Sequence, residues 1–148
     1  MSLQYPALAP AIAVRGAAQA IEFYKKAFGA EELYRLIDPE SGRIGHAEFT
    51  INGALVMISD EYPEYNKSPE LLGGVSAKFM ISCDNVDAAF QRAIEAGAKV
   101  VFPLTTQFYG HRDARVRDPF GHEWLLSQKV EDVSPEEMQR RWDAMAKK

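Results

Sequence analysis

His46 and Glu48 stand two residues apart in the apolar run Ile44 to Ile51, so an extended chain places both side chains on one face. An imidazole beside a carboxylate can bind a divalent ion or move a proton. The same pair can also serve as a hydrogen-bonded structural unit. His111 and His122 lie on other strand-like runs that could approach it. A second set of reactive groups alternates along one short run, where Asp113, Arg115 and Arg117 share a face and offer charge to a polar ligand. The single cysteine, Cys83, sits in the apolar run Phe79 to Cys83 and reads as a buried, inert thiol. No Gly-x-Ser-x-Gly elbow and no Cys–His pair is present, which argues against a hydrolase.

Composition narrows the classes further. The chain has 148 residues, room for one compact domain or two fused half-domains, and is 47% hydrophobic and 26% charged. Its net charge of -4 argues against a nucleic-acid partner, whose phosphates require a basic face. Arg112, Arg115 and Arg117 do cluster, but Asp113 and Asp118 interleave them. One cysteine excludes an intrachain disulfide and suits a reducing compartment. No basic region precedes the first apolar run, and Pro6 and Pro10 interrupt it, so neither a secretory signal nor a membrane span is expected. The expected location is the cytoplasm.

The elements that must position these groups occur twice. An apolar run at Ala9–Val14 leads into an amphipathic stretch from Gly16 to Phe28, the breaker Gly29-Ala30, and strand-like runs at 32–37, 44–51 and 54–59. The run Phe79–Cys83 leads into an amphipathic stretch from Asn85 to Ala96, the breaker Gly97-Ala98, and runs at 99–102, 113–117 and 123–127. The two breakers are 68 residues apart, and so are the turn glycines Gly53 and Gly121. The reading is an α+β chain of two βαβββ modules, at 7–60 and 77–129, joined by a linker at 61–76. A module this small cannot bury both faces of its sheet, so two must share a core, and a cleft between them is the place for a ligand. The linker, with Pro63, Pro69 and Gly73-Gly74, is a connector or a partial lid carrying Tyr62 and Tyr65. At the end, Ser134-Pro135-Glu136-Glu137 forms a capping box that opens a helix over 134–147. Met138, Trp142 and Met145 make an apolar stripe on it that is expected to dock, on its own sheet or on a second subunit, and so to stabilise the protein.

Two βαβββ modules, the second closing through Asp118-Pro119-Phe120-Gly121-His122-Glu123-Trp124, resemble the vicinal oxygen chelate superfamily, which groups glyoxalases, bleomycin-resistance proteins and extradiol dioxygenases. The stretches Ala20 to Ala30 and Val130 to Met138 are similar to its PhnB-like branch. The resemblance implies the glyoxalase/bleomycin resistance/dioxygenase fold, a homodimer, and a small-molecule ligand. It also implies four metal-ligand points, which fall here on Ala9, Met57, Lys78 and Leu125. None is an oxygen or imidazole donor, so no metal and no other cofactor is expected.

Strand parity from those points adds Ala11, Ala13, Leu55, Ser59, Met80, Ser82, Glu123 and Ser127 to the lining. The expected ligand contacts are Phe49, Met57, Lys78, Met80, Tyr109, Asp113, Arg115, Glu123 and Leu125, and the expected ligand is a small organic molecule, with an anionic one suited to Lys78. The leading function is a bleomycin-resistance-like binding protein. The alternative is a glyoxalase-like or lyase/isomerase enzyme, with or without a metal, using Lys78 with Glu123, or His46 with Glu48. A spacing of 68 matches His46 to Ala114 and Glu48 to Val116, which would turn that pair away from the cleft.

Overall fold

The computed structural model describes residues 4–147. Strand β1 (Ala11–Val14) leads into α1 (Ala17–Phe28), then β2 (Glu31–Ile37), β3 (Ile44–Ile51) and β4 (Ala54–Asp60). A short helix α2 (Pro69–Leu72) interrupts the linker. The pattern then repeats as β5 (Lys78–Ser82), α3 (Val86–Ala96), β6 (Lys99–Thr106), β7 (His111–Arg117) and β8 (Glu123–Lys129), with α4 (Pro135–Ala146) last. The two sheets have the same order, β1-β4-β3-β2 and β5-β8-β7-β6. In each, the first strand runs parallel to the fourth and the other pairings are antiparallel. Among the described residues, no helix is long and apolar enough to cross a membrane.

Each long helix starts and stops where its sequence allows. Gly29 ends α1 in the left-handed region, with φ of 70°, where other residues would strain. The first amides of α1 are capped from a distance: the Asp60 carboxylate, at the end of β4, accepts from Gly16 N and Ala17 N at 3.1 and 2.7 Å. Asn85 caps α3 locally by accepting from Ala88 N. Ala17, Ala20, Ile21, Tyr24 and Ala27 form the buried stripe of α1. Helices α1 and α3 pack on each other and each lies on one face of its own sheet. The two modules therefore share a core through their helices, and the opposite face of each sheet stays outside that core.

The junction between modules centres on Trp124. Its ring meets Tyr24, Phe28 and Phe79 with centroids 5.2, 4.9 and 5.2 Å apart. The buried Asp118 carboxylate accepts from Tyr24 OH at 2.6 Å and Trp124 Nε1 at 2.9 Å, and from the amides of Phe120 and His122. Burial first, and then the Asp118 charge, push the Tyr24 phenol well above its ordinary value, so it remains a donor. His122, read as lying on a strand that could approach His46, instead sits just before β8, bonds Ala13 O through Nε2 and ties the modules together.

The burial of Cys83 is corrected, and docking of the C-terminal helix within its own chain is not found. Cys83 is half-buried rather than buried, although burial still raises its thiol. Helix α4 has its capping box, with Ser134 accepting from Glu137 N, but no buried residue. Trp142 and Met145 remain 60% and 53% exposed. The helix is tethered by Arg141, which donates to Phe108 O and pairs with Glu131, and by a tilted ring contact of Trp142 with Phe108. Deleting residues from Ser134 onward is therefore expected to cost the isolated chain about 1 kcal/mol or less, the scale of an exposed ion pair with one hydrogen bond. Chemical denaturation of the truncated chain measures this, and a loss of several kcal/mol would mean that the stripe is covered in solution.

Candidate functional site

Parity on the second sheet places the charged residues together. Lys78, Glu123 and Arg117 fall in register across β5, β8 and β7, followed by a row of Met80, Leu125 and Arg115 and a row of Ser82, Ser127 and Asp113. All point away from the helix layer, because Phe79, Trp124, Leu126 and Val116 occupy the alternate positions in or against the core. Glu123 pairs with Arg117 at 3.0 Å and with Arg115 at 3.6 Å. Lys78 opens β5 and stays exposed, while the two arginines occupy the carboxylate across from it. The Arg115 guanidinium lies 4.8 Å over the Phe102 ring, and its Nε is buried with no partner. Met80 and Phe102 are 56% and 55% exposed on this face.

The polar groups at the far end of the same face are hydrogen-bonded to one another. The buried Asp113 accepts from Tyr109 OH and from Gln107 Nε2, and His111 Nδ1 lies 2.8 Å from Ser127 Oγ. Burial and then the Asp113 charge push the Tyr109 phenol up to about 12. Tyr109 and Asp113 thus form a fixed hydrogen-bonded border, and the free positive charge lies toward Lys78. A cleft of about 500 Å³ opens beside Lys78 where the modules meet, lined by Pro10 and Leu55 from the first module and Lys78, Met80 and Ser82 from the second.

The first sheet differs from the expectation. Glu48 pairs in register with Met57, and Tyr34 pairs with Glu48, so His46 and Glu48 lie on the same face as Met57 and not away from it. The reason is the hairpin. Asn52-Gly53 joins β3 to β4 in a two-residue turn with positive φ at both positions, whereas Pro119-Phe120-Gly121 spans Asp118 and His122 with three residues. One extra residue changes the correspondence between β3 and β7 to 67, and a one-residue slip reverses every face. Phe49 moves the opposite way. It is fully buried, stacked on Tyr24 with centroids 5.3 Å apart, and belongs to the core rather than to any ligand site.

His46 and Met57 line a separate cavity of about 270 Å³ with Ser59, Asn66 and Lys67, beneath the 61–68 loop. That loop is held over the sheet by Asn66 Nδ2 donating to Ser59 Oγ and by Tyr62 OH donating to Asp38. The linker thus lies over the first sheet as a partial cover, with Tyr65 among the lining residues. Beside the cavity, Glu48 Oε2 accepts from Tyr34 OH at 2.9 Å and Tyr5 OH at 3.3 Å, and meets His46 Nε2 at 2.8 Å. Burial pushes the Glu48 carboxyl up, but the bonds from His46, Tyr34 and Tyr5 outweigh it and hold the group below its ordinary value. Tyr5 and Tyr34 were not singled out from the sequence. A register shift between Glu32 and Tyr34 hides Tyr34 from simple alternation, and Tyr5 lies in a segment without periodicity.

The metal-ligand points of the vicinal oxygen chelate enzymes do not fit a metal here. Met57 pairs with Ala11 and Leu125 with Met80, so the equivalent strand pairs present a methyl, two thioethers and an isobutyl group, with the ammonium of Lys78 nearby. Among the described residues no group of three or more His, Cys, Asp or Glu could hold an ion.

The chain belongs to the Glyoxalase/Bleomycin resistance protein/Dioxygenase superfamily, whose family model matches residues 7–126. It is 45% identical over 138 residues to an uncharacterized protein of Mycobacterium bovis, covering 90% of each chain. Among solved structures it is similar to TioX from Micromonospora sp. ML1, with 30% identity, a TM-score of 0.65, and coverage of 83% of this chain and 98% of that one. It also superposes on the PhnB protein of Bacillus cereus, with 18% identity and a TM-score of 0.65, covering 83% of this chain and 99% of that one.

Proposed function

We propose that this protein binds a small anionic organic molecule, without a metal or other cofactor, on the open face of its second module. The observation that carries this reading is charge against lining. At the Lys78 end of the face, Lys78, Arg115 and Arg117 surround a single carboxylate, Glu123, beside the apolar side chains of Met80, Leu125 and Phe102, while Asp113 lies at the far end. A carboxylate or phosphate would find three cations there, and an apolar body would cover the thioether and aromatic surface. Contiguous exposed apolar side chains on a sheet face also favour a partner, and a second copy of the chain closing over the face would make the site a deep cleft in a homodimer. The reading makes the protein a binding module of the bleomycin-resistance kind.

The test is a thermal-shift screen against small carboxylated and phosphorylated metabolites with the wild type and Lys78→Met. The variant should keep its fold, because Lys78 is exposed, and lose roughly tenfold or more in affinity for any anion that binds, the scale of one charge-assisted hydrogen bond. Equal shifts for both proteins with every binding anion would remove Lys78 from the site.

A further inference from the structure

We propose that His46 and Glu48 form a proton-accepting binding site in the cavity beneath the 61–68 loop, and that its ligand is a small molecule with a weakly acidic hydroxyl, such as a phenol or an enol. The inference uses the first module alone and is independent of the Lys78 reading.

Glu48 is only 2% exposed, and a buried carboxylate is costly unless its partners require it. Its Oε2 gathers all three donors, while Oε1 is buried with no partner. A residue kept for packing alone would be better served by an apolar side chain of similar volume. What the charged group does here is fix an imidazole. A neutral imidazole whose Nε2 meets an ionised carboxylate carries its proton on Nε2, which leaves the lone pair on Nδ1. The His46 side chain is 36% exposed and lines the cavity, so that lone pair is available to a ligand.

The cavity supports the rest of the chemistry. At about 270 Å³ it lies just below the range of drug-sized pockets, so its occupant is small. Ala11, Ala13 and Met57 contribute apolar atoms to a lining that is otherwise mostly polar, and Lys67 supplies positive charge at its rim. A ligand hydroxyl donates to Nδ1. As the proton passes, the O–H bond breaks, an N–H bond forms on Nδ1, and the bonding pair remains on oxygen as a phenolate or enolate. The imidazolium is then balanced by Glu48, and the ligand oxyanion by Lys67. No other reactant is needed. Glu48 acts through His46 and is a positioning residue.

The probe is 4-nitrophenol, whose ionisation is visible directly, with its methyl ether 4-nitroanisole as the partner lacking the hydroxyl. Titrated with the full chain, 4-nitrophenol should bind and gain its phenolate band beyond that of the free probe at the same pH. The ether should bind roughly tenfold more weakly or worse. His46→Asn, at a half-exposed position that should not disturb folding, abolishes that gain over the free probe. Glu48→Gln should leave a larger share of the bound probe neutral, a readout that a purely structural role would not move. Nitrogen-15 NMR of His46 should show Nε2 protonated in the wild type and a mixed tautomer in Glu48→Gln. Equal binding of the phenol and the ether, a gain in phenolate band over the free probe that persists in His46→Asn, or no binding of either probe overturns the proposal. Anion binding at the Lys78 face would be unaffected by that failure.

Discussion

Replacing Asp118 with alanine is expected to cost about 3–5 kcal/mol of folding stability, taking roughly 1–3 kcal/mol for each buried donor left without a partner. Asp118 is buried and its two oxygens serve four donors. Two of these are the amides of its own turn, which can turn partly toward water in the variant. The other two, Tyr24 OH and Trp124 Nε1, come from the helix of one module and the last strand of the other, and neither has a second acceptor. Stranding both inside the aromatic junction accounts for most of the loss. At about 2–4 °C per kcal/mol for a chain near this size, the melting temperature should fall by roughly 10 °C. Urea denaturation with an unchanged slope would locate the effect in the folded state. A loss below about 1 kcal/mol would show that the junction repacks and that Asp118 is only a turn residue.

Asp118 also shows what the sequence could and could not reveal. Its turn role follows from Asp-Pro-Phe-Gly alone, since an aspartate commonly bonds the amides that follow it. Its partner 94 residues away follows from no local pattern. The module order was legible for a related reason. Hydrophobic period, glycine breakers and the Asn-Gly hairpin are local signals, and they agree with one another across both halves. The second open face followed from alternation along β7 and β8, which are regular from end to end. The first did not, because a single residue of difference between hairpins reversed the inferred face of His46 and Glu48. The stripe of α4 was real as a pattern, yet a pattern does not say whether a surface lies within reach, and Trp142 stays exposed. Phe49 was misplaced because an aromatic residue on a strand suits a core and a binding face equally well until its neighbours are known.

Trp124→Ala should be as damaging as the loss of Asp118, at about 3–5 kcal/mol, the range for removing a large buried aromatic side chain. The indole is 1% exposed and touches Tyr24, Phe28 and Phe79, so its removal opens a cavity between modules that no one neighbour can fill. The two substitutions should not add. Once the indole is gone, one of the donors stranded by Asp118→Ala is gone as well, and the new cavity admits water to Tyr24. The double variant is therefore expected to fall short of the summed losses by about 1 kcal/mol or more, as groups sharing one hydrogen bond do. Trp124→Phe separates the two contributions, since it keeps most of the ring surface and removes only Nε1–H. The junction also sets how the two sheets are placed, and the cleft beside Lys78 takes Pro10 and Leu55 from one module and Met80 from the other. Trp124→Ala should consequently weaken anion binding at a temperature where the variant is still folded, although no atom of Trp124 is charged. Strict additivity in the cycle, together with unaltered binding, would show that the modules keep their placement without this contact.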